Sequence, residues 1–97
     1  MLITFYRSDS SDEPHFYSIH DRQPSLFCEH AFTVIWGRAL RKGREKVYTF
    51  TSQDELDEKL RELISIRIRE GYRVLYSYFR KDEYQQIRSA IKNVEAS

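Results

Sequence analysis

Residues Ala31–Arg38, which read AFTVIWGR, are the most informative stretch of the chain. Alternating aromatic and β-branched residues predict a β-strand, and the strand ends in the chain's one tryptophan. Trp36 offers a stacking face, Gly37 leaves room for a ligand to approach the backbone, and Arg38 carries a planar fork for phosphate or carboxylate. A structural interpretation is also open, in which Trp36 fills a core and Gly37 makes a bulge.

A basic segment follows this strand. Between residues 38 and 46 there are five cations and one anion, the cations being Arg38, Arg41, Lys42, Arg44 and Lys46. The net charge of the chain is only +1, because carboxylates are concentrated further along, at Asp54, Glu55, Asp57, Glu58 and Glu62. Concentrated positive charge is typical of a phosphate-binding surface. The alternative is a solvated hairpin tip.

Landmarks on both sides of Trp36 occur in a recognisable order. Upstream are Phe16-Tyr17-Ser18-Ile19 and Pro24-Ser25-Leu26-Phe27, and downstream are a basic loop, a strand ending in Phe50, and Gly71-Tyr72. Over roughly residues 9 to 79, the chain therefore resembles the WGR domain family, named for its tryptophan, glycine and arginine. It departs from the usual pattern at four places: Ala39-Leu40 replaces isoleucine–glycine, Cys28 replaces a glycine, Arg44 a glutamine and Arg67 a lysine.

The resemblance implies a nucleic-acid-binding module. In WGR domains of poly(ADP-ribose) polymerases, the tryptophan packs against the sugar at a DNA strand end and basic residues hold the backbone. By position, Trp36 would stack on a terminal sugar or base, and Arg38 would make a polar interface contact. The expected nucleic-acid-binding residues are Trp36, Gly37, Arg38, Arg41, Lys42, Arg44 and Lys46.

A protein partner is the alternative to DNA. Tryptophan, tyrosine and arginine also dominate protein–protein hot spots, so the same Trp36 and Arg38 surface suits an acidic peptide or another protein. The chain would then serve as an interaction or scaffold module.

The pattern of apolar residues predicts an α+β fold. We expect an antiparallel sheet of four to five strands, with one main helix packed on a face and a C-terminal helix. The expected strands cover residues 2–6 (at a sheet edge), 15–20, 31–36, 47–51 and 72–79. In the last of these, strict alternation puts Tyr72, Val74, Tyr76 and Tyr78 on one side.

The main helix is expected between Ser52 and Glu70. Ser52-Gln53-Asp54-Glu55 forms a capping box, in which Glu55 would reach back to the amide of the N-cap residue. Gly71 is a natural helix terminator. The apolar stripe consists of Leu56, Leu60, Leu63, Ile64 and Ile68. Arg67 falls near the centre of that stripe. Because the family has a lysine there, we interpret Arg67 as a structural clamp in preference to a ligand contact.

A second helix is expected over residues 82–95. Its apolar stripe is Tyr84, Ile87, Ile91 and Val94. This stripe either docks back on the sheet or pairs with another copy, so the chain is expected to be a monomer or a weak homodimer through this helix. The 97 residues suit a single domain with a core at about 9–79 and a helical extension at 80–97.

Cysteine usage and hydropathy indicate a cytoplasmic protein. Cys28 is the one cysteine, and neither a signal peptide nor a membrane span is visible in the sequence. Cys28, His30 and His20 are the candidate soft metal ligands, and their number and spacing do not match a zinc site. No nucleotide-binding or nucleophile motif is present. We therefore expect no metal, no cofactor and no membrane partner, and we expect that the protein is not an enzyme.

Overall fold

The computed structural model describes residues 1–8, 13–21, 30–38, 42–80 and 84–96. Within these residues the chain forms β1 (Leu2–Arg7), β2 (His15–His20), β3 (Ala31–Arg38), β4 (Arg44–Thr49), α1 (Gln53–Arg69), β5 (Arg73–Tyr78) and α2 (Gln85–Ala96). The strands make one antiparallel sheet in the order β4-β3-β2-β1-β5. The predicted α+β architecture, with five strands, is confirmed.

Strand β1 lies inside the sheet, so the prediction that it is an edge strand is wrong. It pairs with β2 on one side and with β5 on the other. Its inward side chains Ile3 and Phe5 are completely buried. The sequence of a single strand does not reveal that a strand near the other end of the chain will pair with it.

Both helices pack on one face of the sheet, which we call the helix-bearing face. Its inward side chains are Ile3, Phe5, Tyr17, Ile19, Phe32 and Val34. As predicted, α1 contributes Leu56, Leu60, Leu63 and Ile64 to this core. Helix α2 contributes Ile87 and Ile91, which are also buried. We call the other side of the sheet the open face.

The ends of α1 are set by local signals. The Glu55 amide donates to the Ser52 hydroxyl at 3.3 Å, as the capping box requires. The Glu55 carboxylate, however, accepts from the amide and the hydroxyl of Thr51. The predicted bond to the Ser52 amide is therefore wrong by one residue. At the other end Gly71 has φ +93°, and the Tyr72 amide donates to the Arg67 carbonyl. This arrangement is a Schellman motif, and it confirms Gly71 as the terminator.

A β-bulge in the pairing of β1 with β5 changes the expected sidedness of β5. Val74 pairs with Phe5 on the helix-bearing face, whereas Tyr76 pairs with Thr4 on the open face. Leu75 is the extra residue between them. Strict alternation had placed Val74 and Tyr76 on the same side, and that prediction is wrong because one inserted residue reverses every side chain beyond it.

Helix α2 docks on the sheet. Tyr84 packs against Phe79 just before the helix, and its hydroxyl donates to the Asp21 carboxylate at 3.3 Å. The same carboxylate pairs with the amino group of Met1 at 2.8 Å. The predicted start at Asp82 and the side chain of Val94 lie outside the described residues. Among the described helices, none is both long and apolar enough to cross a membrane.

Candidate nucleic-acid interface

Trp36 lies on the helix-bearing face, two residues before the end of β3. It is half-buried and packs against the edge of the core. Its direct cross-strand neighbours are Tyr17 on β2 and Arg44 on β4. The indole is therefore held in place on one side, and part of its surface is open to solvent.

Gly37 points toward the open face and has a structural reason to be glycine. A Cβ atom at Gly37 would lie 3.0 Å from the Cα atom of Gly43, and a Cβ at Gly43 would lie 2.9 Å from the carbonyl oxygen of Trp36. The two glycines let β3 and the start of β4 approach closely behind the tryptophan. Gly37 is thus explained by backbone packing beside Trp36, and a ligand is not needed to account for it.

Of the predicted cations, Arg38 and Arg44 lie beside Trp36, whereas Lys46 lies away from it. Arg44 lies directly opposite Trp36, and Arg38, two residues further along β3, shares its face. Both are exposed and take part in none of the ion pairs among the described residues. Lys42 is exposed at the start of the segment leading into β4. Arg41 lies outside the described residues.

Lys46 shares the helix-bearing face but turns away from Trp36. It lies opposite Val34, and its ammonium is 4.7 Å from the centre of the Tyr48 ring. Lys59 of α1 approaches the same ring at 5.8 Å. Lys46 therefore adds positive charge to this face without joining the cations beside the indole.

Sequence reasoning missed two further basic residues near Trp36. The strand registers pair Arg7 with His15 and His15 with Arg38, so the three form one row across β1, β2 and β3. This row is the next one outward from the row that contains Tyr17 and Trp36. We refer to Trp36, Arg38, Arg44, His15 and Arg7 together as the Trp36 site.

Arg67 acts as the clamp that its position in α1 suggested. Its guanidinium carbon lies 4.6 Å from the centre of the Tyr17 ring and 5.9 Å from that of Tyr72. Its Nη2 atom donates to the Glu70 carboxylate at 3.0 Å. These contacts tie the end of α1 to the sheet directly beside the Trp36 site.

Tyr17, beneath that clamp, is held in its neutral form. Burial raises the pKa of Tyr17 from its usual 10 to about 12, and the positive charge of Arg67 opposes part of this rise. The neighbour of Trp36 on β2 is therefore an uncharged phenol that packs as part of the core.

The metal prediction depends partly on a residue that is not described. Within residues 1–8, 13–21, 30–38, 42–80 and 84–96, no three His, Cys, Asp or Glu side chains are grouped to hold a metal ion. Cys28 lies outside these ranges. His30, which is described, has its Nδ1 atom 3.3 Å from the Gln53 side-chain oxygen.

The five strands and two helices define a small α+β domain. A WGR domain model matches residues 1–78, and the chain belongs to the WGR family. A crystal structure of a protein from Bacteroides fragilis is similar in fold, with a TM-score of 0.64 and 24% sequence identity over 78% of this chain. The matched part covers 20% of that protein, so this chain spans about a fifth of its length. No curated protein matches the chain.

Proposed function

We propose that this WGR domain binds DNA through the sugar–phosphate backbone and prefers strand ends or breaks. The observation that supports the proposal is that two exposed arginines, Arg38 and Arg44, flank the half-buried Trp36 on the same face and form no ion pair with another described residue. Arg44 lies across the strand pair from the indole, and Arg38 lies further along the indole's own strand. The Trp36 indole, a surface for stacking, therefore lies beside two guanidinium groups that can bind phosphates.

The chemistry of the Trp36 site suits this ligand. Arginine binds phosphate in a bidentate manner and remains charged at every physiological pH. An indole whose orientation is already fixed by the core loses little side-chain entropy when a sugar or base packs on it. Because the arginines would bind phosphates and the indole would stack on a sugar or base, binding would be independent of sequence and steeply dependent on salt.

The row formed by Arg7, His15 and Arg38 extends the positive surface. Arg38 on β3 and Arg7 on β1 carry the charge at the two ends of this row, and the His15 ring lies between them on β2. A nucleic-acid backbone that is held at Arg44 and Arg38 would meet His15 and Arg7 next. This is the direction in which we expect the phosphates to run from Trp36.

The direct test is a binding titration across a range of salt concentrations. Labelled blunt duplex, nicked duplex and single-stranded DNA are compared at several salt concentrations, with the log of the binding constant plotted against the log of the salt concentration. We expect the blunt and nicked duplexes to bind, with a slope that reports several phosphate contacts. If no DNA binds more tightly than about 10⁻⁴ M at physiological salt, the weak end of non-specific binding, the DNA proposal fails. An acidic peptide or protein partner at Trp36 would then be the better candidate.

A further inference from the structure

The open face of the sheet carries aromatic rings where polar residues are usual. An antiparallel sheet covered on one side generally turns polar side chains to water on the other. Here Tyr76 and Tyr78 of β5 are 53% and 54% exposed. Two further aromatic residues, Tyr6 and Phe16, face the same way and are half-buried. These four residues form what we call the aromatic patch.

The strand registers place the aromatic patch on three adjacent strands. Tyr6 on β1 pairs directly with Phe16 on β2, and Tyr76 on β5 pairs with Thr4 on β1. Tyr76 and Tyr78 share a face two residues apart, a separation of roughly 7 Å along the strand. Their rings are thus spaced along the β5 edge of the sheet, and that edge is unpaired among the described strands.

An arginine adjoins the aromatic patch. Arg73 pairs with Tyr6 across β5 and β1, is exposed, and forms no ion pair within the described residues. It lines a surface depression of about 400 Å³, together with Tyr6, Arg7, Ser8, Glu70 and Gly71. The Glu70 carboxylate in this depression is paired with Arg67 at 3.0 Å. The Arg73 guanidinium can therefore bind an anion, such as a phosphate, beside the aromatic patch.

The half of the open face formed by β3 and β4 carries different side chains from the aromatic patch. On β3 and β4 it presents the aliphatic side chains of Ile35 and Val47 and the carboxylate of Glu45. Among the described residues, this half presents neither an aromatic ring nor an arginine. On the open face, the described side chains that combine aromatic rings with an arginine therefore lie on β5, β1 and β2.

We propose that the aromatic patch is a second binding site, for single-stranded nucleic acid. Unpaired bases stack on Tyr76 and Tyr78, and Arg73 binds a phosphate of the same strand. Aromatic residues on a sheet surface bind unpaired bases by stacking in this way, and such stacking tolerates any base. Tyr76 and Tyr78 lie on the face opposite Trp36, so stacking on them does not depend on duplex binding at the Trp36 site.

The test measures binding of a labelled thymidine 12-mer by fluorescence anisotropy. We expect Tyr76→Ala and Tyr78→Ala each to weaken binding about 5- to 150-fold, the range for loss of one stacked base. Arg73→Ala should weaken binding and shallow the salt slope by about 0.7. Tyr76→Phe keeps the ring and should bind as the wild type does. Val47→Ala, a control on the aliphatic half of the same face, should also leave binding unchanged.

These exposed positions are suited to mutation because they lie outside the core. Circular dichroism and thermal melting of each variant give a check on folding that is independent of binding. The proposal is overturned if the wild type does not bind the 12-mer, or if folded Tyr76→Ala and Tyr78→Ala variants bind as the wild type does. It is also overturned if these substitutions instead convert a dimer to a monomer, since the patch would then be a protein–protein surface.

The same variants separate this proposal from the proposed duplex binding. Tyr78→Ala should change the affinity for blunt duplex by less than about twofold, whereas Arg44→Ala should weaken duplex binding and spare the 12-mer. If duplex binding is absent but the 12-mer binds through Tyr76, the Trp36 proposal fails and the aromatic patch stands. The reverse result removes the aromatic patch alone.

Discussion

Trp36 and Arg44 lie directly opposite each other on β3 and β4, on the face of the sheet that carries both helices. Directly opposite residues of an antiparallel pair have Cβ atoms about 5 Å apart, so a group that packs on the indole comes within reach of the guanidinium. Trp36 is half-buried against the core and Arg44 is exposed. The pair therefore combines an apolar surface held against the core with an exposed positive charge.

Replacing Arg44 by Ala should remove one phosphate contact. We expect duplex DNA of every sequence to bind more weakly, and the slope of log binding constant against log salt to shallow by about one unit. Arg61→Ala is a matched control, since Arg61 bonds to Gln86 between the two helices, away from the Trp36 site. If both variants change the salt slope equally, overall charge accounts for binding and the Trp36 site does not.

Replacing Gly43 by Ala should destabilise the fold. The added methyl group would lie 2.9 Å from the Trp36 carbonyl oxygen, a backbone atom that cannot rotate away. We expect a loss of about 1–3 kcal/mol in the free energy of unfolding, measured by urea titration. The exposed neighbour Glu45 is the control, and Glu45→Ala should change stability by less than about 0.5 kcal/mol. An unchanged unfolding midpoint for Gly43→Ala would show that β3 and β4 do not approach this closely.

Replacing Ser52 by Ala should weaken the start of α1. The lost hydrogen bond to the Glu55 amide is expected to cost about 0.5–2 kcal/mol of stability and leave DNA binding unaltered. Ser65→Ala removes the same hydroxyl from an exposed position within the helix, where alanine is the better helix former. Equal stabilities for the two variants would mean that Ser52 does not cap the helix.

The raised pKa of Tyr17 predicts that the fold loses stability in strong alkali. Burial raises the pKa of Tyr17 from 10 to about 12 in the folded protein, and the positive charge of Arg67 lowers it in part. Below pH 10 both the folded and unfolded states keep the proton, so this group has no effect on the pH dependence. Between about pH 10 and 12 the unfolded state releases the proton first, and the free energy of unfolding falls by up to about 1.4 kcal/mol per pH unit.

The difference between wild type and Tyr17→Phe isolates that effect from the other tyrosines. Urea titrations of both proteins at pH 8 to 11.5 should show the wild type losing more stability than the variant above pH 10. Parallel curves over the whole range would mean that Tyr17 ionises equally easily in the folded and unfolded states.

Features that depend on local sequence were predictable. The beginning of α1 at Ser52, its end at Gly71, and its buried stripe of leucines each follow from residues within a few positions of one another. The face occupied by Trp36 also follows from alternation along β3. In each case the physical cause lies within one element.

Features that depend on pairing between distant strands were not predictable. The row of Arg7, His15 and Arg38 exists because three strands pair in a particular register, and no periodicity in the sequence reports that register. The bulge at Leu75 moved Tyr76 to the open face for the same reason. The sequence leaves open whether Gly37 makes room for a ligand or makes a bulge, because its contact with Gly43 becomes visible only when β3 and β4 are placed together.

The most direct test of DNA-end binding at Trp36 compares a linear blunt duplex with a covalently closed circle of the same sequence. We expect the wild type to bind the linear form more tightly, and folded Trp36→Ala to lose that preference with a nearly unchanged salt slope, since stacking worth about 1–3 kcal/mol disappears and the phosphate contacts remain. Trp36→Phe, which keeps a ring, should retain part of the preference. Equal affinity of the wild type for linear and circular DNA would contradict end binding, as would a preference that survives in folded Trp36→Ala.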